Sequence, residues 1–451
     1  MRARLGARAV VIGAGMAGLC AARVLGERFE EVLVVDRDTL PDGSEWRRQV
    51  PQGRHQHVLL PGGARILDDW FTGLMAEVEE AGGVPIDLSV DFAWFRAGGL
   101  WRRPPSSLRS VSMSRPLLEA MVRHRVDDLP GVTVRGEAPV TDLESDPSRS
   151  RIQGVVLADR SVEADLVVDA TGRRCQTLSW IEKLGYEPPP VSQVEVGIRY
   201  VTQVYERSDR PERDWKAIFV VGDPSTRRMA AAVPFEGDRW FVLLSGMNGE
   251  QPPTDRFEAL EWVRSLDSPA VAEVMEASQP IGEPVTHRFP TEQRRHFDKL
   301  RDYPLGWLPL GDAVCSFNPL YGQGMTVAAQ QAKALGDELD RRGTVDRALA
   351  RRYFRAVRRV VEDPWQIAVG GDFAYEAATG PKPPGTYQIG RYMGRLAVAA
   401  QHDDLIALRL KEVASLERSP RSLLSPRVAF RGLRGARRGP VVATDTPVRS
   451  R

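Results

Sequence analysis

The stretch Arg8-Ala-Val-Val-Ile12-Gly13-Ala-Gly15-Met-Ala-Gly18-Leu-Cys-Ala-Ala-Arg-Val-Leu25 decides the fold. Its first five residues are an apolar run of strand length, the glycines make a tight turn, and the remainder has helical spacing. A second apolar run, Val32 to Val35, ends in Asp36. Strand, glycine turn, helix, strand and terminal acid, in that order, are the βαβ start of a dinucleotide-binding domain, and their ordered occurrence outweighs an ordinary tight turn. Gly13 permits the turn, Gly15 lets backbone approach a pyrophosphate, and Gly18 lets helix and strand pack closely. The helix N-terminus then faces negative charge. Asp36, followed by Arg37, stands where a carboxylate accepts hydrogen bonds from both ribose hydroxyls of an adenosine, and an acid there disfavours a 2′-phosphate.

Outward from this unit, residues 42–63 are rich in Gly, Pro, Arg and Gln and read as an ordered loop, followed by helical periodicity from Ala64 to Gly82. Ser114 to Val126 reads as a helix with Ser114 as its N-cap, and Val132 to Val134 as a strand. Between Ile152 and Ala170 come two strands, the second being Leu166-Val-Val168 before Asp169-Ala-Thr-Gly172. The middle changes character. Val196–Tyr205, Ala217–Val221, Met229–Val233 and Trp240–Gly246 are strand-like runs broken by Pro, Gly and Asp, without helices between them. The first pattern returns at Leu305 to Leu310, then Gly311-Asp312 and a helix from near Gly324. These runs predict an α/β protein: a discontinuous Rossmann-like domain (residues 1–185 and 301–345), an antiparallel-sheet substrate domain (186–300), C-terminal helices (346–433) and a frayed basic tail (434–451).

Composition narrows the class. The 451 residues are 42% apolar, enough for a large core, and a net charge of only +2 with 27% charged residues gives no field favouring nucleic acid. Cys20, Cys175 and Cys315 follow no disulfide or zinc spacing, which predicts a reducing, cytoplasmic setting. No window reaches the roughly 18 apolar residues of a spanning helix, and no secretion signal opens the chain.

The second cofactor element is Gly311-Asp312-Ala313 with Asn318-Pro319-Leu-Tyr-Gly322-Gln-Gly324-Met325. Here the chain resembles the flavoprotein monooxygenases of the aromatic-hydroxylase and squalene-epoxidase superfamily. The resemblance implies FAD, with Asp312 on the ribityl chain and the Pro319, Gly322, Gly324 and Met325 turn against the isoalloxazine ring. A helix starting there would present amide donors to the flavin edge that becomes anionic on reduction. Asp165-Leu-Val-Val-Asp169-Ala-Thr-Gly172-Arg173 resembles a third motif of the same superfamily, near the pyrophosphate, but has Asp-Ala-Thr-Gly instead of a plain Asp-Gly. This departure leaves the nicotinamide role of Asp169 and Arg173 open, and with Gly172 they read either as cofactor contacts or as a capped strand end. Arg54 and Arg115 resemble arginines that relatives place against FAD, and Val140 a residue whose backbone meets adenine, though an apolar residue there also reads as core. His55 and His57 lack further ligands nearby, so no metal is expected. Arg227-Arg228 and Arg294-Arg295-His296 read as solvated faces.

Thr286-His-Arg-Phe-Pro290 and Glu362-Asp-Pro-Trp365 look most like actinobacterial FAD monooxygenases of specialised metabolism, among them epoxidases of linear polyenes that become polyether antibiotics. That resemblance implies reduction by NAD(P)H, directly or through a separate flavin reductase, then O2 addition to give a flavin C4a-hydroperoxide that epoxidises an alkene of a hydrophobic substrate. Such chemistry needs no acid/base dyad, and no catalytic side chain is identified. Phenol hydroxylation is the rival and would need a group that stabilises a phenolate. A tryptophan halogenase would carry a Trp-x-Trp-x-Ile-Pro segment, which this chain lacks. A prenyl-type alkene reductase shares the same motifs, and a flavin-free binding protein would have no use for them.

Overall fold

Gly6–Ile12 is the central strand of a five-stranded sheet in the computed structural model, which describes residues 4–48, 50–207, 213–222, 225–375 and 377–441. The order is Trp307–Pro309, Leu166–Asp169, Gly6–Ile12, Phe29–Val35, Val132–Arg135, and every neighbouring pair is parallel. Parallel strands are covered on both faces, which is why they read as unbroken apolar runs: Ala9, Val10, Val11, Leu166, Val167 and Val168 have no exposed surface. Met16–Gly26 and Gly324–Arg342 pack together over this sheet. The sheet is thus completed by a strand from far downstream, as the returning sequence pattern predicts.

The substrate-side sheet has eight strands: Cys315–Ser316, Pro280–Arg295, Val191–Glu206, Arg239–Gly246, Arg228–Phe235, Ala217–Val221, Phe92–Arg96 and Gly99–Leu100. Its pairs are antiparallel except Ala217–Val221 against Phe92–Arg96, which run parallel. The period of two divides its residues. Ile218, Val220, Ala230, Ala232, Val242 and Leu244 face Trp262, Val263, Val271 and Met275 of two short helices. Phe219, Val221, Met229, Ala231 and Leu243 turn the other way, toward Val369 and Phe373 at the end of the Arg347–Asp372 helix. Both faces are covered, and the latter one walls the cavity described below.

Three expectations need correction. The large sheet is not confined to residues 186–300: Phe92–Arg96 and Gly99–Leu100 join one edge and Cys315–Ser316 the other. The helical stretch 64–82 is two helices, Pro61–Trp70 and Leu74–Glu80, broken where Gly73 takes φ +83°. The tail is helical to Ala436, and the residues after it are tied down: the Gly439 carbonyl pairs with His402 Nε2 at 2.7 Å, and the Val441 N–H donates to Gln401 Oε1 at 2.7 Å. Residues 442–451 of that tail lie outside the described residues. Among the described residues no helix is long and apolar enough to cross a membrane, no group of three or more His, Cys, Asp or Glu could hold a metal, and all three cysteines are free and buried.

Candidate cofactor and substrate site

A cavity of about 2530 Å³ is lined from both sheets and from the C-terminal helices. Single-ligand pockets measure roughly 300–1,000 Å³, so this one has room for a dinucleotide together with a second molecule. Gly13, Gly15, Asp36, Arg37, Arg115, Val140, Gly172, Asp312, Pro319, Gly322, Gly324 and Met325 all line it, so stretches far apart in sequence meet around one space.

At the first end, Gly13 has φ +106°, and an added Cβ would lie 2.5 Å from the Ala170 carbonyl oxygen. Gly18 lies behind the turn, where an added Cβ would overlap the Gly13 carbonyl, whereas at Gly15 the nearest atom to such a Cβ is Arg115 Nη2 at 3.7 Å. Gly13 and Gly18 are therefore demanded by the turn and by packing, and Gly15 by access to the cavity. The Met16–Gly26 helix has no side-chain cap and no acid in its first turn, which leaves its amides for an anion. Asp36 ends its strand with both oxygens engaged: Oδ2 accepts from the Ala14 N–H at 2.7 Å and Oδ1 from the Asp38 N–H at 2.9 Å.

The dominant arginine at this end is one that the sequence reading passed over. Arg47 is buried and meets Glu119 at 2.6 Å, Asp36 at 2.8 Å and Asp38 at 3.4 Å, while also donating to the Ala14 carbonyl at 3.1 Å. Burial opposes its charge, but Glu119 and Asp36 outweigh this and raise its pKa. Arg54, the expected contact, is exposed at the end of the Pro51–Arg54 turn and does not line the cavity. Arg115 does line it, at the first helical position after the Ser114 cap. A cation at a helix N-terminus is opposed by the dipole, so Arg115 needs an anion in front of it, and Glu119 at 3.4 Å supplies only part of that.

Of the two roles expected for Asp169, cofactor contact or strand-end cap, the structure shows the cap. Asp169 is fully buried and does not line the cavity: Oδ1 accepts from the Thr171 N–H (2.8 Å) and hydroxyl (2.6 Å), and Oδ2 from the Cys175 thiol (3.2 Å) and the Thr177 hydroxyl. It shapes the 170–177 turn, which brings Gly172 and Arg173 to the wall. Gly311 is likewise behind the wall, with φ +72° and its N–H donating to Gln331 Oε1 at 2.9 Å. Arg294 and Arg295 are buried rather than solvated: Arg294 pairs with Glu362 at 2.9 Å, and Arg295 donates to the Ala313 and Arg173 carbonyls. Arg227 and Arg228, which are partly exposed, pair with Glu250.

At the second end, the Asp312 carboxyl is open to the cavity but lies deep below the molecular surface. Burial raises its pKa, against the opposing pull of Arg115, Arg173 and Arg295. Ribityl hydroxyls donating to it would favour its ionised form. Gly322 takes φ +65°, a Cβ on Gly324 would meet nothing within 4 Å, and the Gly324–Arg342 helix starts with neither a side-chain cap nor a first-turn acid. Gln323 is 1% exposed, yet neither of its amide atoms finds a partner among the described residues. Unpaired buried amides are costly, so this one suits a polar partner in the cavity it lines. Open glycines, an orphaned amide, two uncapped helix starts and a carboxylate at each end fit FAD. Asp36 would hold its adenosine ribose, the Met16–Gly26 helix and Arg115 its pyrophosphate, Asp312 its ribityl chain and the 319–324 turn its ring.

Beside this turn, His55 and His57 face the large sheet. His55 Nδ1 pairs with the Thr202 hydroxyl at 2.8 Å, and His57 Nδ1 pairs with the His55 carbonyl at 2.9 Å, so that nitrogen carries the hydrogen. Strand register sets Tyr200 opposite His287, and the His55 ring packs edge-on to Tyr200 at 4.6 Å. The His55 Nε2 atom has no partner among the described residues. Burial drives His55 and His57 down to about 3 and also lowers His287. The folded values lie below the unfolded one, so the unfolded chain binds more protons and stability falls as pH drops from about 6.5 toward 3. Thermal unfolding at pH 7.5 and pH 5 is expected to give the lower midpoint at pH 5, and His57→Gln is expected to shrink that difference.

An α/β dinucleotide domain joined through a flavin-type turn to a large walled sheet defines a flavoprotein oxidoreductase. The family model described as "FAD binding domain" matches residues 7–366, and the chain belongs to that family. It is an FAD-dependent enzyme of the monooxygenase and hydroxylase class. Among relatives, Protein Rv3254 of Mycobacterium tuberculosis is 33% identical over 416 residues, spanning 88% of this chain and 87% of that one. Violacein synthase of Chromobacterium violaceum is 23% identical over 397 residues, 83% and 87% of the two chains. The solved flavin-dependent brominase Bmp2 superposes with a TM-score of 0.68 at 14% identity over 96% of this chain and 99% of its own, a likeness of fold.

Proposed function

We propose that this enzyme epoxidises an alkene of an elongated hydrophobic substrate of the polyene or polyketide type, with NAD(P)H as electron source, directly or through a separate reductase. One observation carries the reading. Besides the flavin turn the cavity is lined by the apolar side chains of Phe92, Trp94, Phe219, Met229, Leu243 and Met393, and its volume of about 2530 Å³ exceeds the roughly 300–1,000 Å³ of a single-ligand pocket. Bound FAD supplies the oxygen-activating chemistry. The chain's own residues have three tasks: gripping the cofactor through Asp36, Arg115, Asp312 and the 319–324 turn, lining the substrate up along the sheet, and excluding water. Only positioning is asked of the apolar wall.

Aromatic hydroxylation is the second reading, supported by the Tyr200–His287–His55 corner. There the Tyr200 hydroxyl and the His287 imidazole line the cavity, with the buried His55 packed behind them, and would hold a phenolic oxygen. Tyr200→Phe separates the two. Under the epoxidase reading kcat changes less than about threefold; under the hydroxylase reading it falls on the order of 10²-fold, the usual contribution of proton-transfer help. Assays with ¹⁸O2, NADPH and candidate polyenes or phenols, read by mass spectrometry, test the main proposal. One ¹⁸O atom in an epoxide supports it. One in a phenol supports the second reading, and anaerobic saturation of the alkene with no oxygen transfer would overturn both.

A further inference from the structure

Three hydrogen bonds tie the flavin turn to two carboxyl groups that have no part in the functions above. The Asn318 N–H donates to Glu292 Oε1 at 2.7 Å, Asn318 Nδ2 donates to Asp372 Oδ1 at 2.8 Å, and the Tyr321 hydroxyl donates to the same Oδ1 at 3.1 Å. Glu292 belongs to the Pro280–Arg295 strand of the large sheet and Asp372 ends the Arg347–Asp372 helix, so the turn is pinned to two separate layers. Both acids have no exposed surface. Their remaining oxygens, Glu292 Oε2 and Asp372 Oδ2, find no donor among the described residues, although the two carboxyls are within hydrogen-bonding reach of each other.

Two bare carboxylates in contact and shut off from water do not both stay ionised, and a single proton placed between the two orphaned oxygens satisfies both at once. We infer that Glu292 and Asp372 share one proton, and that this proton fixes the 318–324 turn in the geometry that retains FAD. They are positioning residues, acting on the cofactor through Asn318 and Tyr321. Their surroundings agree with one negative charge and not two. Arg173 is the cation acting on Glu292, and the groups around Asp372 are neutral: Asn318, Tyr321 and, beside the latter, Tyr375, with Arg96 acting on Tyr321. Burial pushes both carboxyls up, that of Asp372 to about 7. The first proton leaves Asp372 near neutrality and the shared one, held on the Glu292 side by the Asp372 charge, leaves only at higher pH; its loss sets like charges against each other directly under the turn, so FAD should escape faster as pH rises above neutrality.

The test is FAD release from the holoenzyme, followed by the rise of free flavin fluorescence after dilution at a series of pH values from about 7 upward. The wild type is expected to release FAD about tenfold faster at the upper end. Glu292→Gln places an amide donor where the proton sits and keeps the single negative charge, and Asp372→Asn does the same from the other side. Each should hold the slow, low-pH rate throughout. A flat wild-type profile, or either variant retaining the wild-type slope, would overturn the inference. Should one variant fail to fold, the other carries the same comparison.

Discussion

Arg47→Met is expected to cost the folded protein about 3–5 kcal/mol, the range for removing one partner of a buried ionic network, and to leave it with little bound flavin. Arg47 is enclosed, and its guanidinium spans Asp36, Asp38 and Glu119. Methionine keeps much of the side-chain volume but leaves up to three carboxylates uncompensated at the adenosine end of the cavity. Such groups must take up protons or draw in water, and a protonated Asp36 would be a poorer acceptor for ribose hydroxyls and for the Ala14 N–H that sets the glycine turn. Denaturant unfolding with the flavin absorbance of the purified variant checks both parts. A loss below about 1 kcal/mol would mean that the network behaves as an exposed one. Arg54→Met serves as the contrast: the side chain is exposed and away from the cavity, so stability and flavin content should stay within about 0.5 kcal/mol of wild type.

Gly18→Ala should be the next most damaging change. The added methyl overlaps the Gly13 carbonyl, a backbone atom with no room to yield, and would also press on the Val11 side chain at 3.3 Å. The helix must shift off the strand, at an overpacking cost of about 1–3 kcal/mol, and its free amides move with it. Flavin content is expected to drop more than the loss of stability alone would explain. Gly15→Ala has open space ahead of it in the protein, so it should fold normally and lose affinity only because its methyl occupies cofactor space. Comparing melting temperature with FAD affinity across the two variants tells packing from contact.

What could be read in the sequence was local. The strand, glycine turn and helix from Arg8 to Leu25 sit within one short window, and the Asn318–Met325 turn carries its own chemistry. Neither needs knowledge of a distant partner. The strand runs from Val196 to Gly246 were visible for the same reason. What escaped depends on tertiary pairing. Phe92–Arg96 joins the large sheet only because Ala217–Val221 lies alongside it, and nothing near Phe92 announces that neighbour. Arginine is abundant in the 42–63 loop, and whether Arg47 or Arg54 turns inward is settled by Glu119 on a remote helix. The Tyr200–His287 pairing arises from strand register, and the contact between Glu292 and Asp372 from the docking of a helix on a sheet. No spacing rule reaches across such separations.

The long excursion between Leu166–Asp169 and its edge neighbour Trp307–Pro309 also bears on how the molecule is made. A chain emerging from the ribosome cannot finish its nucleotide-binding sheet until the substrate-side strands have been synthesised, and their own sheet already needs Phe92–Arg96 from the first half. The two halves therefore mature together, with pairings of high sequence separation that form slowly. Flavin has no complete seat on any shorter nascent piece, so coenzyme capture coincides with the last stage of folding. Cells short of riboflavin would be expected to accumulate full-length chains open to proteolysis, not a stable half.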